Sequence, residues 1–160
     1  MKDDLYASHL PILSRVVDIS SGPILELGIG YSTLLFHVMC KQTKRPVYSF
    51  ENDEKWYRKY EDYRTDWHHV VYTNDWNAIE VPKIHWGIVF IDHRPGKDRH
   101  KQALRYMDTA NFVIVHDSEP ESDKWYGYSY IYKYFKYVYH YNKALPNTTV
   151  LSNFIDLKVL

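Results

Sequence analysis

GPILELGIGYSTLLF, residues 22–36, is the stretch whose reading decides the fold. A proline leads into an apolar run, two glycines interrupt it, and a second apolar run follows. That is the order of a buried strand, a tight turn and a helix, with PILELG (23–28) as the strand and STLLFHVMCKQ (32–42) as a helix that Ser32 can cap.

The same alternation continues on both sides. Residues 5–19 read as a first helix, PVYSFEN (46–52) as a second strand, and DEKWYRKYEDY (53–63) as a helix whose early acids and later bases suit its dipole. HHVVYTND (68–75) is a third strand. WGIVFIDH (86–93) is a fourth, with the consecutive apolar positions of a strand buried on both faces. DRHKQALRYM (98–107) is a helix and NFVIVHD (111–117) a fifth strand. This order predicts an α/β fold with a mainly parallel sheet and helices on both faces. The tyrosine-rich tract 125–142 reads as helix and then strand: Tyr126, Tyr130 and Tyr134 lie four apart, whereas Tyr137, Tyr139 and Tyr141 alternate with Val138 and His140. TTVLSNFIDLKVL (148–160) supplies a last strand and makes a terminal antiparallel hairpin.

The 160 residues suit a single domain spanning 1–160. No apolar stretch approaches the roughly 20 residues that cross a bilayer, so no membrane partner is expected. Twenty basic residues balance twenty acidic ones without a long one-sign run, so no nucleic-acid partner is expected either. The opening Met1-Lys2-Asp3-Asp4 leads into no apolar signal core, and Cys40 is alone; both point to a cytoplasmic, reducing setting. No H-E-x-x-H, C-x-x-C or G-x-S-x-G motif occurs. PGKDR (95–99) fails as a phosphate loop because Ile91 and Asp98 stand where a glycine and a Ser or Thr are required.

The glycine turn also fits a dinucleotide poorly. Gly28 and Gly30 match two fingerprint positions, but Thr33 replaces the third, and the charge of Glu26 disfavours a pyrophosphate nearby. A ligand with an ammonium, a sulfonium and a ribose tolerates that acid, and its carboxylate can lie against the backbone N–H groups where the helix starts, around Tyr31, Ser32 and Thr33. S-adenosylmethionine has those parts. Glu51, about 20 residues beyond the turn and followed by Asn52, is placed for the ribose hydroxyls. Asp75 and Trp76, past the third strand, are placed for adenine, with core packing the alternative for Trp76.

Together LELGIGYS (25–32), SFEND (49–53) and VFIDH (89–93) resemble the class I S-adenosylmethionine-dependent methyltransferases over most of the chain. The resemblance implies a Rossmann-like methyltransferase fold. Within that family the E-L-G, G-Y-S and V-F-I-D-H segments are similar to the catechol O-methyltransferase group. That similarity implies a Mg2+ ion held by Asp92 and Asp117, with Ser118 standing where the group has an asparagine ligand. NDEKW (52–56), DHRP (92–95) and VHDSE (115–119) are similar to polysaccharide O-methyltransferases, which implies a sugar or glycan hydroxyl as acceptor.

Asp92, His93, Arg94, His116, Asp117 and Glu119 all fall at or just past the carboxyl ends of the fourth and fifth strands, where open parallel sheets bind ligands. Methyl transfer to oxygen is an in-line displacement that needs an aligned hydroxyl and a route for its proton. His116 or Asp117 is the candidate base, Arg94 or Lys97 the group that orients the acceptor, and a divalent ion on Asp92 and Asp117 the alternative activator. His68 and His69 read as structural. Two other readings stand beside the sugar acceptor: a small-phenol O-methyltransferase, and a non-catalytic scaffold that binds a partner through its tyrosines. A short acceptor side also leaves a homo-oligomer, with a second subunit completing the pocket, as an expectation.

Overall fold

The computed structural model describes residues 7–160. Seven strands are present: β1 (Ile24–Leu27), β2 (Val47–Glu51), β3 (His68–Tyr72), β4 (Trp86–Ile91), β5 (Ala110–His116), β6 (Tyr137–Tyr141) and β7 (Thr148–Ser152). α1 (Leu10–Ile19) precedes them, and between them lie α2 (Tyr31–Cys40), α3 (Glu54–Tyr60), α4 (Arg99–Tyr106), α5 (Asp123–Tyr126) and α6 (Tyr128–Tyr132). The strands form one sheet in the order β3-β2-β1-β4-β5-β7-β6, in which β7 runs antiparallel to both β5 and β6 and the other pairings are parallel. This is the Rossmann-like arrangement with a terminal antiparallel hairpin that the sequence implies.

Side-chain alternation divides the core between the two faces of the sheet. Ile24, Ile88, Phe90, Phe112 and Ile114 pack with α1 and with Phe36 and Cys40 of α2. Leu25, Leu27, Val89, Ile91, Val113 and Val115 pack with Ala103 and Tyr106 of α4 and with Tyr128 and Ile131 of α6. Fully buried strands of this kind need no polar face, which is why β4 reads as an unbroken apolar run.

The register sets the functional edge. Leu27 lies level with Phe50 and with Ile91, and Ile91 lies level with Val115. One residue further along, Gly28, Glu51, Asp92 and His116 therefore stand side by side at the carboxyl ends of four neighbouring strands.

Three elements depart from the sequence reading. The first helix begins at Leu10, not residue 5, because Pro11 lacks an N–H and belongs in a first helical turn; residues 7–9 form a turn, and residues 5 and 6 lie outside the described residues. Ser32 does not cap α2. Gly30 is the N-cap, and Thr33 Oγ1 accepts its N–H at 3.0 Å. The tyrosine helix is broken by Gly127, whose φ of +68° ends α5 and starts α6 in a new direction.

Gly28 and Gly30 differ in what they require. Gly28 has φ +103°, and a Cβ there would lie 2.6 Å from the Asp92 carbonyl carbon, whereas nothing stands within 4 Å of a Cβ at Gly30. Gly28→Ala is expected to cost about 3 kcal/mol in urea unfolding, and Gly30→Ser, which keeps a good N-cap, less than about 1 kcal/mol. Equal costs would contradict this division of roles.

Candidate active site

A cavity of about 980 Å³ opens at this edge, lined by Ile29–Ser32, Glu51–Asp53, Asp92–Gly96 and His116–Asp117, with His9, Trp56, Arg99, Tyr126 and Pro146 completing its walls. Its size is at the upper end of the roughly 300–1,000 Å³ of small-molecule sites, room for a large ligand and a second molecule beside it.

At the β1 side, Gly30 presents open space to the cavity. The carboxylate of Glu51 accepts from the N–H groups of Ile29 (2.7 Å), Asn52 (2.8 Å) and Asp53 (2.7 Å), which fixes it at the cavity wall. Burial raises its pKa, opposed by those same amide hydrogen bonds. A carboxylate has about four lone-pair sites, so one remains for a ligand donor.

Glu26 is not a wall residue. It is fully buried beneath the turn, where the hydroxyls of Ser32 and Thr33 both donate to it, the latter at 2.9 Å. It fastens β1 to the start of α2, so the cofactor contact expected of Glu26 is replaced by support of the turn. Thr33, also fully buried, belongs to the same support. Trp76 is core: it stacks on His93 at 4.4 Å, and its indole N–H donates to the Arg94 carbonyl at 2.7 Å. Asp75 is exposed and accepts from the Asn77 N–H. Neither lines the cavity, so the adenine contacts expected of them are absent from this arrangement.

At the β4–β5 side the organising residue is Arg99, which the sequence reading passed over as one more helix residue. Its buried guanidinium pairs with Asp92 at 3.0 Å and Asp117 at 2.8 Å, and donates to the carbonyls of His93 (2.7 Å), Asp92 (3.0 Å) and His116 (3.3 Å). Tyr126 lies over it at 4.8 Å and donates its hydroxyl to Asp117 at 3.1 Å. The aspartates expected to hold Mg2+ are thus bridged by an organic cation, and the Ser118 hydroxyl is turned away to accept from Thr149 at 2.8 Å. These donors do not fit the metal of the catechol group. A signal for Arg99 existed: a cation opening a helix opposes the helix dipole unless anions hold it there.

His116 faces this cluster. Its Nδ1 is 3.4 Å from Asp92 and 3.6 Å from Asp117, and its Nε2 is 3.0 Å from Ser8 Oγ. Burial favours the neutral ring, yet the Asp92 carboxylate outweighs it and raises the pKa. In return, against its own burial, His116 and Arg99 hold Asp92 well below the usual carboxylate range. His93 is buried with both ring nitrogens unpartnered among the described residues, and burial lowers its pKa to about 4, so it stands as a neutral packing group at the cavity wall. Arg94 is exposed at the rim. Lys97 does not line the cavity, and Glu119 is engaged by Ser122 and the Asn147 N–H. His68 bonds Ser49 at 3.0 Å and His37 at 3.1 Å, a structural role like the one read from sequence.

No protein-family model and no curated sequence matches this chain. Solved structures do. The N-terminal domain of human METTL16 in complex with S-adenosylhomocysteine is similar with a TM-score of 0.66 and 10% identity, over 92% of this chain and 71% of that one. A candidate caffeoyl-CoA O-methyltransferase from Staphylococcus aureus is similar with a TM-score of 0.64 and 16% identity, over 89% and 82%. Streptococcus pneumoniae Sp1610, a candidate tRNA (m1A22) methyltransferase in complex with S-adenosylmethionine, has a TM-score of 0.57 and 15% identity, over 92% and 74%. The expectation of no nucleic-acid partner, drawn from balanced charge without a long one-sign run, is not supported by a set of similar folds that includes a candidate tRNA methyltransferase.

Glu26 offers a test of the support beneath the turn. Burial pushes its pKa up to about 7, against the hydrogen bonds it accepts. The folded protein holds this proton through a range where an unfolded glutamate has lost it, so its contribution is full below about pH 4.5 and is lost as pH rises through about 7. Glu26→Gln cannot ionise, and its stability relative to the parent should rise by about 2–3 kcal/mol between pH 5 and pH 8 in urea unfolding. Parallel pH profiles would contradict the buried, proton-holding Glu26.

The seven-stranded, mostly parallel sheet with its reversed β7 matches these neighbours: the chain has the fold of the class I S-adenosylmethionine-dependent methyltransferases.

Proposed function

We propose that this protein is an O-methyltransferase that uses S-adenosylmethionine and a hydroxylated acceptor, with a sugar or glycan hydroxyl the leading acceptor. The observation that carries the reading is the pairing of an open glycine cradle at Gly30 with the wall carboxylate of Glu51, one strand away, in a cavity whose other half is acidic and basic. Gly30, Tyr31 and Ser32 would receive the amino-acid end of the cofactor and Glu51 and Asn52 its ribose; two solved neighbours hold this cofactor or its product. The cofactor supplies an electrophilic methyl group on a sulfonium.

The chain's own residues do the rest. Arg99 and Tyr126 occupy Asp117 Oδ2, and among the described residues Oδ1 has His116 beside it at 3.6 Å. Asp117 is thereby held as the group that accepts the acceptor's hydroxyl proton as the oxygen attacks the methyl carbon. Tyr126 on the wall and Arg94 at the rim provide aromatic and polar contacts of the kind a pyranose takes. A second reading has support of its own: Lys124 lies 4.1 Å from the Trp125 ring, and Lys133 lies over Tyr130 and Tyr134, a cationic-aromatic surface that also suits a nucleic-acid strand.

Labelled cofactor supplied with oligosaccharides, nucleotide sugars, catechols and RNA, followed by location of the methyl group by mass spectrometry, tests both. Transfer to a sugar hydroxyl is expected, reduced about 100-fold or more in Asp117→Asn, which keeps an oxygen for Arg99 and the fold intact. Transfer only to catechols or only to RNA would overturn the sugar acceptor, and no transfer to any of them would overturn the enzyme.

A further inference from the structure

His9 had no part in the sequence reading, yet it is the least explained polar group at the cavity. It sits in the turn before α1, is 2% exposed, and neither ring nitrogen has a hydrogen-bond partner among the described residues. Its ring packs edge-on against His116 at 4.6 Å and tilted against Phe90 at 5.1 Å, which places it beside Asp92. One donor atom from each of His9, Asp92 and His116 lies within 4.8 Å of the others.

The tautomer of His116 follows from its neighbour. Ser8 Oγ lies 2.8 Å from the Pro146 carbonyl, which can only accept, so the single hydroxyl proton is spent there. His116 Nε2, 3.0 Å from the same oxygen, must then donate. Nδ1 faces two carboxylates, so a positive charge belongs there: a second ring proton, which Asp92 favours, or a cation taken up by the lone pair of the neutral ring in exchange for that proton. Asp92 and Asp117 together carry two negative charges against the single positive charge of Arg99.

We propose that His9, Asp92 and His116 form a binding site for a first-row divalent transition ion such as Zn2+ or Fe2+, with its open coordination position toward the cavity. Two imidazoles and one carboxylate suit such ions and not Mg2+, which prefers all-oxygen shells. Bonds of about 2.0–2.2 Å reach all three donors after side-chain movements of roughly an ångström. This set shares Asp92 with the Asp92–Asp117 pair, Arg99 pairing with its Oδ1, and differs from that pair in offering two imidazole donors in place of the second carboxylate. It deepens the methyltransferase reading, since an ion there would bind an acceptor oxygen and make its proton easier to lose. The site itself is tested without cofactor or acceptor, so its failure and the failure of that reading are separable.

The experiment is calorimetric titration of metal-free protein with Zn2+, paired with the visible d–d absorption of the Co2+ form. One ion per chain is expected, with Co2+ bands of nitrogen and oxygen ligation. His9→Phe, which keeps the ring packing, should weaken binding about 100-fold or more, as should Asp92→Asn. His37→Gln, which breaks the other histidine pair, should leave binding unchanged. No binding to the folded parent, unchanged binding by His9→Phe, or binding lost in His37→Gln would each overturn the proposal.

Discussion

A single buried guanidinium holds the functional edge of this protein together. Arg99 reaches back from the start of α4 to the ends of β4 and β5 and joins Asp92 and Asp117 while satisfying three backbone carbonyls. The two carboxylates could not sit this close to a buried histidine cluster as bare charges, since a buried ion that loses its partner costs several kcal/mol. The bidentate geometry of arginine is what allows one side chain to serve both; lysine, a point charge with a strong hydration shell, would not. The β4–β5 side of the cavity is organised by this tie: the fixed Asp117, the ring of Tyr126 lying over the guanidinium, and the rim that Arg94 and Pro95 extend from the same strand end.

The other half of the cavity is built on a different principle. There the anionic group is held by backbone amides, three of them on Glu51, and the approach of a ligand is permitted by an absent side chain at Gly30. Beneath it Glu26, whose pKa burial pushes up to about 7, accepts hydrogen bonds from the Ser32 and Thr33 hydroxyls away from water. The wall and the support beneath it are therefore both glutamates, separated by how far each is removed from water.

Much of this was legible in the sequence. Local pattern suffices for strands buried on both faces, so β1, β4 and β5 and the strand-end positions of Glu51, Asp92, His116 and Asp117 could be placed directly. The antiparallel hairpin was readable in the alternation of Tyr137, Tyr139 and Tyr141. What escaped was decided by tertiary contact. Glu26 and Glu51 look alike in sequence, and only the register shows that one lies under the turn and the other beside it. Trp76 was an open choice between ligand and core, settled by the ring of His93. Arg99 and His9 lie on elements whose pattern explained them well enough as helix, and their partners are supplied by strands far along the chain. Pro11 and the misplaced helix-opening cation were the signals available for them.

The central claim is that the Gly30–Glu51 half of the cavity is a cofactor site. Calorimetric titration of S-adenosylhomocysteine into the parent protein and into Gly30→Val tests it most directly, because the valine side chain enters space that nothing else occupies. Saturable binding of one molecule per chain, weakened by about 30-fold or more in the variant with its fold retained, is the predicted result. Absence of binding to the folded parent, or equal affinity for both proteins, would contradict it.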